Sequence, residues 1–231
     1  MARRSRDDPP GAGYLRAAGR APLALYDPFV AVAMRERLFR ARLARQVLAG
    51  WAGDGRRRGV TICDVGCGTG TLSLALAGVR GVAAVIAVDG DPAALARARA
   101  KAARSGGWAV EWREGMAQRL PLEDKSCDRV VLSLVLHHLS PADQRAALRE
   151  AARVLRPGGR VHVADWGRPR DPLMRVAFRL LQLVDGAETT APLGRGELPA
   201  MLDAAGFADQ RLHDRLRTAG GLLELRSARR G

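Results

Sequence analysis

The sequence predicts one α/β domain, built as a mostly parallel, doubly wound sheet of seven strands with an antiparallel hairpin at its C-terminal edge. Three observations predict it. Strand-type and helix-type runs alternate strictly between residues 60 and 165, which implies βαβ units around parallel strands. The first strand-type run breaks into a turn with three alternate glycines and then a helix start. The last two strand-type runs lie too close together to admit a helix, so they should pair antiparallel.

In order along the 231 residues, positions 1–13 lack hydrophobic periodicity and read as a disordered basic arm, with order beginning near Tyr14 or Tyr26. Residues 29–51 read as a basic amphipathic helix. Phe39, Leu43, Val47, Leu48 and Trp51 recur at helical spacing, while Arg35, Arg37, Arg42 and Arg45 take other faces. Residues 14–58 form an N-terminal helical lid segment, which either roofs a pocket or meets anionic lipid or a charged partner. The main domain, residues 59–231, follows with strands at 60–65, 84–89, 109–112, 128–136 and 160–165 and helices at 71–77, 92–103 and 141–155. Beyond Trp166 the rhythm changes. Residues 172–184 and 196–205 read as helices, and 207–212 and 222–227 as the closing strands.

Composition narrows the class. At 47% hydrophobic residues, with apolar runs far too short to cross a bilayer, the chain reads as soluble. No apolar signal core follows the first arginines. Cys63, Cys67 and Cys127 form no CxxC pair, so reduced thiols in a cytoplasm are expected and no metal site. The net charge of +14 is concentrated early: residues 1–58 hold 13 arginines against five acids. Weak electrostatic contact with an anionic membrane surface or nucleic acid fits that charge. With only Lys101 and Lys125 as lysines, genome composition accounts for the skew equally well.

The most informative segment is Val60-Thr-Ile-Cys-Asp64-Val-Gly66-Cys67-Gly68-Thr-Gly70-Thr-Leu. A strand, a turn of alternate glycines and a helix start let a ligand approach backbone where a Cβ would intrude. A nicotinamide fingerprint needs glycine at the sixth position of the turn, and Thr71 stands there, with Gly70 at the fifth. Asp89, nineteen residues after Gly70 and followed by Gly90, ends the second strand. There a carboxylate can accept both hydroxyls of a ribose. Asp91, beside Pro92, is the better helix cap.

With Asp64 two residues before its first glycine, this turn resembles motif I of the class I, Rossmann-like S-adenosylmethionine-dependent methyltransferases, D-x-G-x-G-x-G. Further stretches carry the resemblance across residues 60–166: Glu114-Gly-Met116 onward through Leu120-Pro to Cys127-Asp128 and Val135-Leu-His137-His138-Leu, then Arg153-Val-Leu-Arg-Pro-Gly158-Gly159 through Asp165-Trp166. The likeness is to the branch that includes ubiquinone/menaquinone biosynthesis methyltransferases. It implies S-adenosylmethionine as cofactor, held by Asp64, Gly66, Cys67, Gly68, Gly70, Asp89, Gly90, Met116, Ala117 and Ser133. Two positions depart from the pattern. Met116 stands where the family has an Asp that grips adenine, leaving backbone contacts, apolar packing or Gln118 to compensate, and Cys127 stands where Phe is common.

Methyl transfer from a sulfonium is an in-line displacement, so much of the catalysis can come from positioning. If the acceptor is a phenol, enol or carbon acid, a base raises its reactivity, and His138 is the candidate, with His137 beside it; either could instead only pack or cap the next helix. Tyr26, His137, Trp166 and Phe178 are the candidate acceptor contacts, against ordinary packing for the aromatics. Residues 167–196 stand where relatives place the acceptor lid. The expected reaction is methylation of a small molecule such as a quinol, phenol or acid. An RNA or protein methyltransferase is the alternative, weakened because Ser133-Leu-Val-Leu136 replaces the Asn-Pro-Pro-Tyr type tetrapeptide of exocyclic-amine enzymes. A non-catalytic nucleotide-binding regulator is the second alternative, raised by Met116.

Overall fold

The computed structural model of the protein describes residues 36–49, 59–105 and 109–231. The basic arm, Tyr14, Tyr26 and the ends of the 29–51 helix lie outside the described residues. Helix α1 (Glu36–Leu48) precedes a domain in the order β1 (Val60–Val65), α2 (Thr71–Ala77), β2 (Val82–Asp89), α3 (Pro92–Arg104), β3 (Val110–Glu114) and β4 (Cys127–Ser133). A 3-10 turn (Leu136–His138), α4 (Pro141–Val154), β5 (Leu155–Trp166), α5 (Pro172–Asp185), α6 (Ala187–Gly194), α7 (Leu198–Ala204), β6 (Phe207–Thr218) and β7 (Gly221–Arg230) complete it.

The seven strands lie in the order β3-β2-β1-β4-β5-β7-β6. β1 through β5 run parallel, and β7 pairs antiparallel with both β5 and β6. The C-terminal hairpin is therefore present as expected, with its second strand inserted and its first strand at the edge. Strand order reverses between β1 and β4, the switch point outside whose carboxyl ends such sheets bind ligands.

The core explains the arrangement. Ile62, Cys63 and Val65 of β1 and Val130, Val131 and Leu132 of β4 are buried in continuous runs, the pattern of parallel strands covered on both faces. Helix α4 buries Ala147, Leu148, Ala151 and Val154 on one stripe, starting from Ser140, whose side chain accepts from the Asp143 amide, and Pro141. Phe39, Leu43 and Val47 of α1 are fully buried, each such burial being worth about 1.5–3 kcal/mol. Gln46 then ties α1 to β7 by donating to the Arg226 carbonyl at 2.8 Å.

Several boundaries differ from the sequence reading. β4 ends at Ser133 instead of 136 because Leu134 adopts φ 58° and turns the chain out of the sheet. β5 begins at Leu155, five residues early, absorbing the Pro-Gly-Gly turn as an irregularity around Gly158 at φ 75°. Between Gly186 and Gly196 stands α6, which no periodicity announces: its Ala-Glu-Thr-Thr-Ala-Pro sequence combines two β-branched residues with an internal proline. No helix of the described residues is long and apolar enough to cross a membrane.

Candidate active site

The site is assembled at the carboxyl ends of β1, β2, β4 and β5. Leaving β1, the chain passes through Gly66, Gly68 and Gly70 at φ 67°, 53° and 74°, a left-handed path that side chains resist. Two of the glycines are also packed against neighbours. A Cβ on Gly66 would stand 2.4 Å from Val135, and one on Gly70 would stand 2.4 Å from Trp112. A Cβ on Gly68, by contrast, would meet nothing within 4 Å, so the turn presents bare backbone to open space there.

Buried acids fix this turn from below. Asp89 accepts from the Gly68 amide at 2.7 Å through one oxygen and from the Asp91 amide at 2.9 Å through the other. Asp91 in turn caps α3 through the Ala93 amide at 2.8 Å, as its place beside Pro92 suggests. Asp64 is buried and accepts from Ser73 Oγ at 2.5 Å. Burial raises its pKa to about 6, against the opposing pull of that hydrogen bond and of Arg40. Burial, with the Asp64 and Asp89 carboxylates, pushes the Cys67 thiol well above its usual range, so it is a neutral wall and not a nucleophile. Lys101 Nζ donates to Thr69 Oγ1 at 3.0 Å and Thr71 Oγ1 at 2.7 Å, clamping the turn to α3.

Beyond β2, Met116 covers the strand end: a Cβ on Gly90 would meet its sulfur at 2.6 Å. Ala117 is buried, and both polar atoms of the Gln118 amide are buried without a hydrogen-bond partner. Such a group calls for a partner, and it sits next to the two positions expected to flank a purine.

The second half of the site hangs on Asp165, fully buried at the end of β5. Its Oδ2 accepts from the Leu136 amide at 2.9 Å, and its Oδ1 accepts from the Trp166 amide at 2.8 Å and lies 2.8 Å from His137 Nδ1. The opposite ring nitrogen of His137 is 3.8 Å from Asp185, at the end of α5. Burial works to lower the His137 pKa, but the Asp165 charge and hydrogen bond, aided by Asp185, outweigh it and hold the imidazole above its ordinary value. His138, with its ring centroid 3.9 Å from that of His137, is pushed well below the ordinary value by burial and by the neighbouring His137 charge. Trp166 meets His137 edge-on at 5.8 Å, and a Cβ on Gly221 would stand 3.4 Å from Phe178 and 3.9 Å from Trp166.

Two clusters thus form, one of Asp64, Gly66, Cys67, Gly68, Gly70, Asp89, Gly90, Met116 and Ala117, the other of His137, His138, Trp166 and Phe178. Val135, packed on Gly66 two residues before His137, joins them. Ser133 is half-buried at the end of β4, in register with Ala164, and Tyr26 lies outside the described residues. Sequence reasoning matches Asp165 to the end of a family stretch without giving it a role, and it does not single out Asp185, Ser73 or Lys101. Of these only Asp165, an acid at a strand end before a tryptophan, carries a local signal.

A left-handed glycine turn at the switch point of this sheet, with an acid closing the second strand, defines a nucleotide-binding α/β protein of Rossmann-like build. Residues 62–159 match the model of the methyltransferase domain family. An uncharacterised methyltransferase of Synechocystis is 31% identical over 74% of this chain and 76% of its own. A ubiquinone/menaquinone biosynthesis C-methyltransferase of Syntrophotalea carbinolica is 29% identical over 81% and 82%. Among solved structures, the magnesium protoporphyrin IX methyltransferase of Synechocystis, determined with bound S-adenosylhomocysteine, superposes with a TM-score of 0.64 at 20% identity over 95% of this chain and 93% of its own, which bears on the fold. The chain belongs to the class I S-adenosylmethionine-dependent methyltransferases.

Proposed function

We propose that the protein transfers a methyl group from S-adenosylmethionine to a small-molecule acceptor of the quinol, phenol or acid type. The observation that carries this reading is the buried Asp165–His137 pair, set beside His138 and against Trp166 at the strand ends next to the glycine turn. The bare backbone above Gly68 and the orphaned Gln118 amide fit the cofactor, which supplies a methyl group already activated on a sulfonium. Asp89 would hold the ribose, Gly66 to Gly70 the methionine portion, and Met116, Ala117 and Gln118 the adenine.

On the acceptor side, His138 is neutral at neutral pH and is assigned the proton of the acceptor hydroxyl or carbon acid. His137, fixed by Asp165, positions it. Trp166 and Phe178 supply flat apolar wall, and residues 167–196, with α5 and α6, act as the acceptor lid. The likeness to a quinone-pathway C-methyltransferase supports an acceptor of that chemistry. Three free cysteines support a reducing cytoplasm.

Calorimetric titration with S-adenosylmethionine, S-adenosylhomocysteine and NAD, followed by radiolabel transfer to a panel of quinols, phenols, acids, RNA and protein, tests the reading. Methylation of a small acceptor upholds it. Label found only in RNA or protein would transfer the assignment to those polymers, and cofactor binding without turnover on any acceptor would favour a regulator.

A further inference from the structure

Helix α5 carries apolar residues on two opposite sides. On the inner side Met174 and Phe178 are buried. On the outer side Leu173, Val176, Leu180 and Leu183 are 67%, 54%, 60% and 83% exposed, and among the described residues these are the large hydrophobic side chains left in that state. They recur every three or four positions, so they form one stripe along the helix. Contiguous apolar surface of this kind on a folded chain marks something that covers it.

The charges beside the stripe say what. Arg175 and Arg179 are exposed on the same helix, and Arg168 and Arg170 are exposed on the segment leading into it. Among the described residues none of these four side chains makes a hydrogen bond or ion pair. Arg168, Arg170 and Arg175 also line a cavity of about 620 Å³ together with Arg195, Arg215 and Arg226. A single carboxylate, Glu224, stands in that lining, already bonded to Arg215 at 2.9 Å and Arg226 at 2.8 Å. Neither acid of the helix region offsets the arginines: Asp171 caps the Met174 amide and pairs with Arg217, and Asp185 faces His137. A leucine stripe flanked by unbalanced arginines matches a surface that is apolar within and anionic at its rim.

We propose that α5 docks the enzyme on an anionic lipid bilayer, lying in the interface. The leucine stripe enters the acyl boundary and Arg168, Arg170, Arg175 and Arg179 meet lipid phosphates, with the arginine-lined cavity at the helix N-terminus receiving a headgroup. At 14 residues the helix is too short to span, since about 20 are needed. Its inner face bears Phe178, so the docked helix is the wall between the bilayer and the acceptor side of the site. The docking does not depend on which acceptor is methylated.

Flotation of the full-length protein with phosphatidylcholine vesicles, with and without phosphatidylglycerol, tests this. Binding is expected to the anionic vesicles and not to the neutral ones. The double variant Leu180→Gln/Leu183→Gln keeps every charge and is expected to weaken binding roughly tenfold or more, because apolar burial is lost. Arg175→Gln/Arg179→Gln is expected to weaken it as well and to flatten its salt dependence. Melting temperature and cofactor affinity, both measured on each variant, should match the wild type. Absence of binding by the wild type would overturn the proposal. So would anionic binding that the leucine variant leaves unchanged, which would be adsorption by net charge alone. A dimer in sedimentation velocity that the leucine variant dissolves, with no vesicle binding, would instead place a second copy on the stripe.

Discussion

His137 and Asp165, 28 positions apart, meet at 2.8 Å because β4 and β5 are parallel neighbours whose carboxyl ends coincide, Ser133 standing in register with Ala164. Asp165→Asn keeps an acceptor and removes the charge. Burial, then opposed chiefly by the Asp185 charge, should lower the His137 pKa from its wild-type position, as imidazole titration by NMR would show. Stability changes with it. The wild-type pKa of His137 is raised, so the stabilisation it gives is complete below the unfolded value and disappears as pH rises through the folded one. Denaturant melts of wild type and variant should therefore differ more at pH 6 than at pH 9, and an equal gap at both would remove the charge interaction.

His138 is neutral across the physiological range because its pKa is depressed, so the acid limb of the kcat profile should fall well under pH 6.5. His138→Ala should lower kcat by about 10²-fold or more if the residue takes the acceptor proton, with partial recovery at higher pH. A raised KM with kcat intact would leave it as a packing residue.

The architecture is readable because periodicity is local: β1, β2 and β4 announce themselves as apolar runs, and Gly66, Gly68 and Gly70 declare a backbone path in a single stretch. The glycine turn and Asp89 need no partners from elsewhere to be noticed. Relations across the sheet are not readable in this way. Lys101 reaching Thr69 and Thr71, and Asp165 reaching His137, depend on register between strands and helices that sequence spacing does not contain. The end of β4 escapes for another reason, since Leu134 takes a left-handed φ that leucine seldom adopts and only the packed loop holds it there. The outer stripe of α5 satisfies the same periodicity as its inner one, so the pattern promises a helix without saying which side faces the protein.

Asp89→Ala should weaken S-adenosylmethionine binding by about 2–3 kcal/mol if both ribose hydroxyls are held by its carboxylate. The structure adds a second source of loss, because Gly68 and Asp91 donate their amides to the same carboxylate. Asp89→Asn separates the two. It keeps one acceptor oxygen where the turn uses two, so a loss nearly as large as that of Asp89→Ala with an unchanged melting temperature assigns the effect to the ribose, whereas a matching fall in melting temperature assigns it to turn geometry.

Asp64 supports the turn at a cost that depends on pH. Its pKa stands at about 6 in the folded protein, chiefly from burial, against an ordinary aspartate value of 3.8 once the chain unfolds. A raised pKa means that the folded state prefers the protonated acid, so stability is highest below the unfolded value and declines as pH climbs through the folded one. The decline is on the order of 3 kcal/mol once pH passes about 6, because a tenfold difference in proton affinity between the folded and unfolded chain is worth about 1.4 kcal/mol. Asp64→Asn preserves an acceptor for Ser73 and abolishes the ionisation. It should raise the denaturation midpoint at pH 8 and leave it nearly unchanged at pH 4. A variant that is less stable than wild type at pH 8 would show instead that the charge of Asp64, set against Arg40, holds the turn together more than its burial strains it.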